Sequence, residues 1–261
     1  MKTHVAITGA SSGIGAALAR EFAAHGAHVT LVARRKQALE ELAAELPQPS
    51  FVVEQDLSDL AHACDWIPGA EEKLGPIDVL INNAGIQIVA PTVAVAPEQG
   101  EAVIRLDLLV PLRLTHAILP GMIARGRGTV VDISSMAALA PTPGMTHYNA
   151  AKAGLAAASE ALRGELRPTG IHVVTVYPGI IGETAMARSA LAKYQAQNVA
   201  SWIPQGTAAE LAKRVRRAVE KRRDRVIFPS SMALSRWFPA ATHWVMDRWT
   251  PRLKDDNASR D

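Results

Sequence analysis

The chain has a single cysteine, Cys64, so no intrachain disulfide can form and burial must hold the fold together. Cys64 stands in AHACDWI without a histidine or lysine at helical spacing, and reads as a packing residue rather than a nucleophile. Aromatic residues are only 5% of the 261, so the core must come mostly from Ala, Val, Leu and Ile. No apolar run reaches the length of a bilayer span, and no leader precedes the first strand pattern. Both predict a cytoplasmic location. A formal net charge of +3 is too small to point to nucleic acid, and no metal site is expected. What remains is a globular composition, 48% hydrophobic and 20% charged, at a length suited to one large domain.

Short β-branched runs alternate with longer Ala/Leu/Glu-rich segments, the pattern of βαβ units. Strands are expected over 4–8, 28–33, 51–56, within 77–85, and over 128–134, 172–179 and 225–229. Helices are expected over 13–25, 36–46, 101–119 and 148–166. The strands are apolar on both faces. The fold class is therefore α/β, a doubly wound parallel sheet of about seven strands with helices on both faces.

Between the first strand and first helix lies Thr8-Gly9-Ala10-Ser11-Ser12-Gly13-Ile14-Gly15. Glycines there permit a tight turn and bring backbone N–H groups and a helix N-terminus up to a pyrophosphate. Gly9, Ser11, Ser12, Gly13, Ile14 and Gly15 are the expected cradle. The second strand ends in Val32-Ala33-Arg34-Arg35-Lys36, with no acid to hold a ribose hydroxyl. Arg34 and Arg35 suit a 2′-phosphate, and cations at a helix start otherwise oppose its dipole, so NADP(H) is the expected cofactor.

Tyr148 and Lys152 are four apart at the start of a predicted helix and share a face. A nearby ammonium favours the phenolate, and so should lower the tyrosine pKa toward the range useful for acid–base chemistry. With TGASSGIG (8–15), NNAG (82–85), YNAAK (148–152) and YPG (177–179) in this order, the chain resembles the short-chain dehydrogenase/reductase family over residues 3–229. The resemblance implies a Rossmann-like fold and hydride transfer between nicotinamide and a carbonyl or alcohol carbon.

It also implies roles. Tyr148 exchanges a proton with the substrate oxygen, Lys152 binds the nicotinamide ribose, and Ser135, thirteen residues before Tyr148, hydrogen-bonds the substrate oxygen in preference to Ser134. Asp56 and Leu57 meet the adenine, and Asn83, Ala84 and Gly85 line the adenosine side. Pro178 and Gly179 precede Ile181, whose backbone lies near the carboxamide. The chain departs from the family at two points. Asp107 stands where an asparagine usually helps a proton relay, and an ionised carboxylate accepts hydrogen bonds but cannot donate them. Thr184 comes one residue later than the usual cofactor-binding threonine, so a bulge must repair the register or the contact is lost.

Residues 1–230 are expected to form the catalytic domain, with a mobile substrate lid over 182–206. Ile86, Ile88, Met136, Ala137 and Met186 suggest an apolar pocket for a lipophilic small molecule, while His147 points off the tyrosine's face. The basic run 211–223 reads as the solvated face of an amphipathic helix. Residues 231–261 form an extension. Within it Leu234, Trp237, Phe238, Ala241, Val245 and Trp249 make a stripe over 234–249, with Trp244 beside it and a helix starting at Pro239. Packing in the core or between subunits competes there with peripheral membrane contact. The final residues 255–261 are expected to be disordered, and the Ala-rich segment 148–166 suggests close helix packing, inside the subunit or in a homodimer or homotetramer. The competing functional reading is a catalytically weak NADP-binding regulatory or scaffold protein.

Overall fold

The computed structural model describes residues 2–194, 204–250 and 253. Its main sheet contains β1 (His4–Thr8), β2 (His28–Ala33), β3 (Ser50–Glu54), β4 (Val79–Asn82), β5 (Gly128–Ile133), β6 (Ile171–Pro178) and β9 (Arg225–Phe228). The strand order is β3-β2-β1-β4-β5-β6-β9 and every neighbouring pair is parallel. Val5 in β1 sits beside Val29 on one side and Val79 on the other. The order reverses between β1 and β4, the kind of switch point at which open α/β sheets bind ligands beyond the carboxyl ends of their strands.

Both sheet faces are covered. Helices α1 (Gly13–Ala24), α2 (Lys36–Glu45) and α8 (Ala208–Glu220) pack on one face around Leu18, Leu39, Leu211 and Val215. Helices α3 (Trp66–Leu74) and α5 (Val110–Arg125), with the end of α6 (Thr146–Glu165), cover the other around Trp66, Leu114 and Met122. Hence the strands bury both sides and read as continuous apolar runs. Helix α8 carries the basic run. It buries Leu211, Ala212, Val215 and Ala218 and is closed at its start by the reciprocal pair Thr207 and Glu210.

Two local differences from expectation have physical causes. The single helix expected over 101–119 is three pieces: α4 (Pro97–Ile104), a wide π-helical turn over Arg105–Leu109, and α5. The turn aligns with Asp107, whose side chain is drawn into the protein. Helix α3 was not anticipated, because Pro68 and Gly69 within it interrupt helical periodicity. A small second sheet pairs β7 (Ile180–Ile181) with β8 (Gln205–Gly206), and α7 (Ala185–Ala192) lies between them in the chain.

The last described helices are α9 (Leu234–Trp237) and α10 (Pro239–Trp249), which does begin at Pro239. Arg236 ties α9 to the body through Glu160 at 3.3 Å. Glu160 also holds Arg163 at 2.7 Å and Arg225. Burial opposes ionisation there, but Arg225, Arg163 and Arg236 together bring the Glu160 carboxyl down to about 2. Among the described side chains of the stripe core packing is not what the structure has: Leu234, Trp237, Phe238 and Val245, and Trp244 beside them, are all exposed, while the Trp249 side chain lies outside the described residues. The expected disorder of 255–261 and part of the lid, 195–203, lie outside the described residues.

Candidate active site

The glycine turn leaves β1 with Gly9 at φ +67° and Gly13 at φ +56°, conformations that L side chains rarely adopt. Gly15 serves a different purpose. A Cβ there would overlap the Gly9 carbonyl and come within 2.7 Å of Asn83 Nδ2. Asn83 in turn donates from Nδ2 to the carbonyls of Thr8 (2.9 Å) and Gly9 (3.3 Å), while the Thr8 hydroxyl accepts the N–H groups of Asn83 and Ala84. The NNAG segment thus clamps the turn against β4. Ser12 caps nothing with its side chain and the first turn of α1 holds no acid, so the helix presents open N–H donors beside Ser11, Ile14 and the turn. These features fit a pyrophosphate.

Arg35 folds back over this turn, donating to Ser11 Oγ at 3.0 Å and to its carbonyl at 3.2 Å. Arg34 is exposed at the end of β2. Asp56 is held ionised below the usual carboxylate range by the backbone N–H and hydroxyl of Ser58, with a smaller contribution from Arg34. Leu57 buries its side chain in the core beneath α3.

From the turn, contacts run without a break to the predicted acid–base pair. Gly9 approaches Ala84 so closely that a Cβ would sit 2.8 Å from its Cα, and a Cβ on Gly85 would sit 2.7 Å from Asp107 Oδ2. Asp107 accepts the Ile86 N–H at 2.8 Å and pairs with Lys152 Nζ at 3.1 Å; neither side chain is more than 5% exposed. Lys152 Nζ donates to the Ile133 carbonyl at 3.1 Å and lies 5.8 Å from the centre of the Tyr148 ring. The Ile86 amide and Ile133 carbonyl carry no side-chain signal, and sequence reasoning missed them. Ser134 is consumed by the Lys152 carbonyl at 2.8 Å, while Ser135 accepts the Ala137 N–H at 3.1 Å and lies near enough to Tyr148 to favour its phenolate.

The electrostatics differ from the sequence expectation in one respect. Burial pushes the Tyr148 phenol up, Lys152 pulls it down and Asp107 pushes it up again, so the net shift is upward. Burial likewise raises Asp107, against the pull of Lys152. For Lys152 burial favours loss of the proton, but Asp107 and Tyr148 outweigh it and its net shift is upward.

Beside the acid–base pair, Ile86, Ile88, Val89 and Ala137 pack with Tyr148, Met145 and Val103. Two expected pocket residues lie elsewhere. Met136 turns into a separate cluster with Ala156 and Tyr177, and Met186 is exposed on α7. His147 covers Gly100 of α4, away from the tyrosine. Pro178 is buried at the end of β6, Gly179 follows it, and Ile181 is buried in β7. Thr184 caps α7, accepting the Ala187 N–H at 3.2 Å and donating to the Ile181 carbonyl at 2.9 Å. Its methyl lies 3.4 Å from where a Gly13 Cβ would stand, so the late threonine does reach the glycine turn.

Comparisons with known proteins agree with this arrangement. The profile of the short chain dehydrogenase family matches residues 3–195. A dehydrogenase/reductase SDR family protein 7-like protein of Anopheles gambiae is 32% identical, over 95% of this chain and 83% of its own. A fatty acyl-CoA reductase of Mycobacterium tuberculosis is 32% identical, over 93% and 82%. Among solved structures, a short-chain dehydrogenase from Sphingobium yanoikuyae in complex with NADPH superposes with a TM-score of 0.79 at 30% identity, covering 99% of both chains. With a seven-stranded parallel sheet, a clamped glycine turn and a matched profile over most of its length, this chain belongs to the short-chain dehydrogenase/reductase family.

Proposed function

We propose that the chain is an NADP(H)-dependent oxidoreductase acting on the carbonyl or secondary alcohol carbon of a lipophilic small molecule, with Tyr148 as its acid–base group. The observation that carries this reading is the buried cluster of Tyr148, Lys152 and Asp107 beside the glycine turn, with the half-buried Ser135 next to it. Arg34 and Arg35 at the end of β2, with no acid among them, favour a 2′-phosphate. The NADPH complex of the Sphingobium protein and the fatty acyl-CoA reductase activity of the mycobacterial relative support the cofactor and the substrate class.

When bound, the cofactor supplies or accepts the hydride. The chain's own residues do the rest. Ser135 and the Tyr148 hydroxyl hold the substrate oxygen by hydrogen bonds, fixing the carbonyl carbon at the end of β5. Tyr148 gives its proton to that oxygen as negative charge develops there during reduction, and takes it back during oxidation. Lys152, pinned by Asp107 and the Ile133 carbonyl, provides the positive charge that steadies the phenolate and a donor for ribose hydroxyls.

The test is NADPH oxidation against a panel of ketones. Tyr148→Phe should lose at least about 100-fold in kcat/KM while still binding NADPH. Binding with no turnover of any carbonyl by the unaltered chain favours the scaffold reading, and full activity in the phenylalanine variant refutes the role of Tyr148.

The exposed α9–α10 surface supports a second element of this reading, contact with an anionic lipid headgroup layer. Trp237, Phe238 and Trp244 lie open there, and helices α9 and α10 carry Arg236 and Arg248 against one acid, Asp247. Aromatic rings and cations together suit that boundary.

A further inference from the structure

Among the described residues, Asp107 is the carboxylate whose charge opposes Lys152 most strongly in the neighbourhood of Tyr148. It enters the protein on the π-helical turn between α4 and α5 and is fully buried. It is fixed from both sides, by the Ile86 N–H and by Lys152 at 3.1 Å, and Gly85 leaves the space that its Oδ2 fills. An amide in that position could hold Lys152 as well, but would leave its full charge to act on Tyr148.

We propose that Asp107 is a positioning residue that sets the working pH of the tyrosine: by offsetting the lysine charge inside the buried site, it keeps the Tyr148 hydroxyl protonated to higher pH than the lysine alone would allow. The inference rests on the reading of Tyr148 as the acid–base group.

The groups that face the pair are few. From α6 they are Tyr148 and Lys152, from the π-helical turn Asp107, from β5 the buried Asp132, and from the segment after β5 the neutral Ser135. Asp132 acts on Lys152 more weakly than Asp107 does, and its carboxylate accepts the Asn82 amide at 2.8 Å. Burial raises the Asp132 pKa, with Asn82 and Ser159 pulling the other way. Asp107 is thus the dominant opposing charge. Reduction consumes the protonated phenol, so the alkaline fall of its kcat/KM reports loss of this proton. Oxidation needs the phenolate, and its rate rises through the same titration.

The experiment compares the unaltered chain with Asp107→Asn, and with Asp107→Ser as a second uncharged replacement in case the amide variant does not fold. Two readouts are taken. The first is the ultraviolet tyrosinate absorbance of cofactor-free protein, with Tyr148→Phe subtracted to isolate Tyr148. The second is kcat/KM for ketone reduction by NADPH across pH. Removing the carboxylate should lower the tyrosinate midpoint by about one pH unit, within the range a close charge commands. The alkaline limb of reduction should move down equally. An unmoved or higher tyrosinate midpoint overturns the proposal. If the midpoint falls but the rate limb does not follow it, Tyr148 is not the acid–base group, and the functional reading fails instead.

Discussion

Replacing Lys152 by methionine removes a charge but little volume, and strands Asp107 as a buried carboxylate without its partner. The pair is separated by 3.1 Å, and at an effective dielectric of about 20 a Coulomb attraction of roughly 5 kcal/mol is lost. Breaking a buried pair in this way typically costs about 3–5 kcal/mol. The sign of its pH dependence follows from the carboxyl, which burial already raises above its unfolded value. A raised carboxyl binds its proton more tightly in the folded state, so its cost is absent below the unfolded pKa and accumulates as pH climbs toward the folded one. At pH 5 only about one unit of that window has been crossed, which limits the electrostatic cost to about 1.5 kcal/mol; at pH 8 the full cost applies. Urea unfolding of both proteins at the two pH values measures it, with equal m-values as the control. At pH 8 the variant should melt roughly 10 °C lower. Adding Asp107→Leu should restore most of the loss, because a well-packed apolar pair replaces a lone charge. A destabilisation that is the same at both pH values, or a double variant no better than the single one, would refute this account.

Three further outcomes are expected. Gly15→Ala forces a methyl against the Gly9 carbonyl and Asn83, and should cost about 1–3 kcal/mol by thermal unfolding and abolish NADPH binding read by nucleotide fluorescence. Arg34→Ala should erase a preference for NADPH over NADH in equilibrium binding by removing about 1–3 kcal/mol of charge-assisted hydrogen bonding; an initial preference for NADH contradicts the assignment. In flotation with anionic vesicles the chain should rise with the lipid, and removal of residues 231–261 should leave it at the bottom. Flotation of the truncated chain would place the contact elsewhere.

Much of the fold was legible because its signals are local. Period and composition located all seven strands of the main sheet to within a few residues, and the alternation with helices predicted parallel pairing. Less legible were features whose cause is a distant partner. Helix α3 forms despite Pro68 and Gly69 because Trp66, Ile67 and Ala70 find a core to bury in. Met136 was assigned to the pocket by proximity in sequence, but its neighbours Ala156 and Tyr177 take it elsewhere.

By itself the sequence determined the sheet, the glycine turn, and the spacing that puts Tyr148 and Lys152 on one helical face. These depend on backbone preference and side-chain periodicity, which act over a few residues. Tertiary structure alone decided how the charges near Tyr148 balance. That balance depends on burial and on a carboxylate 45 positions away in the chain, brought to 3.1 Å from Lys152 by the π-helical turn. It also decided that Trp237, Phe238 and Trp244 face outward, because the burial of an apolar side chain depends on what packs against it and not on its own spacing.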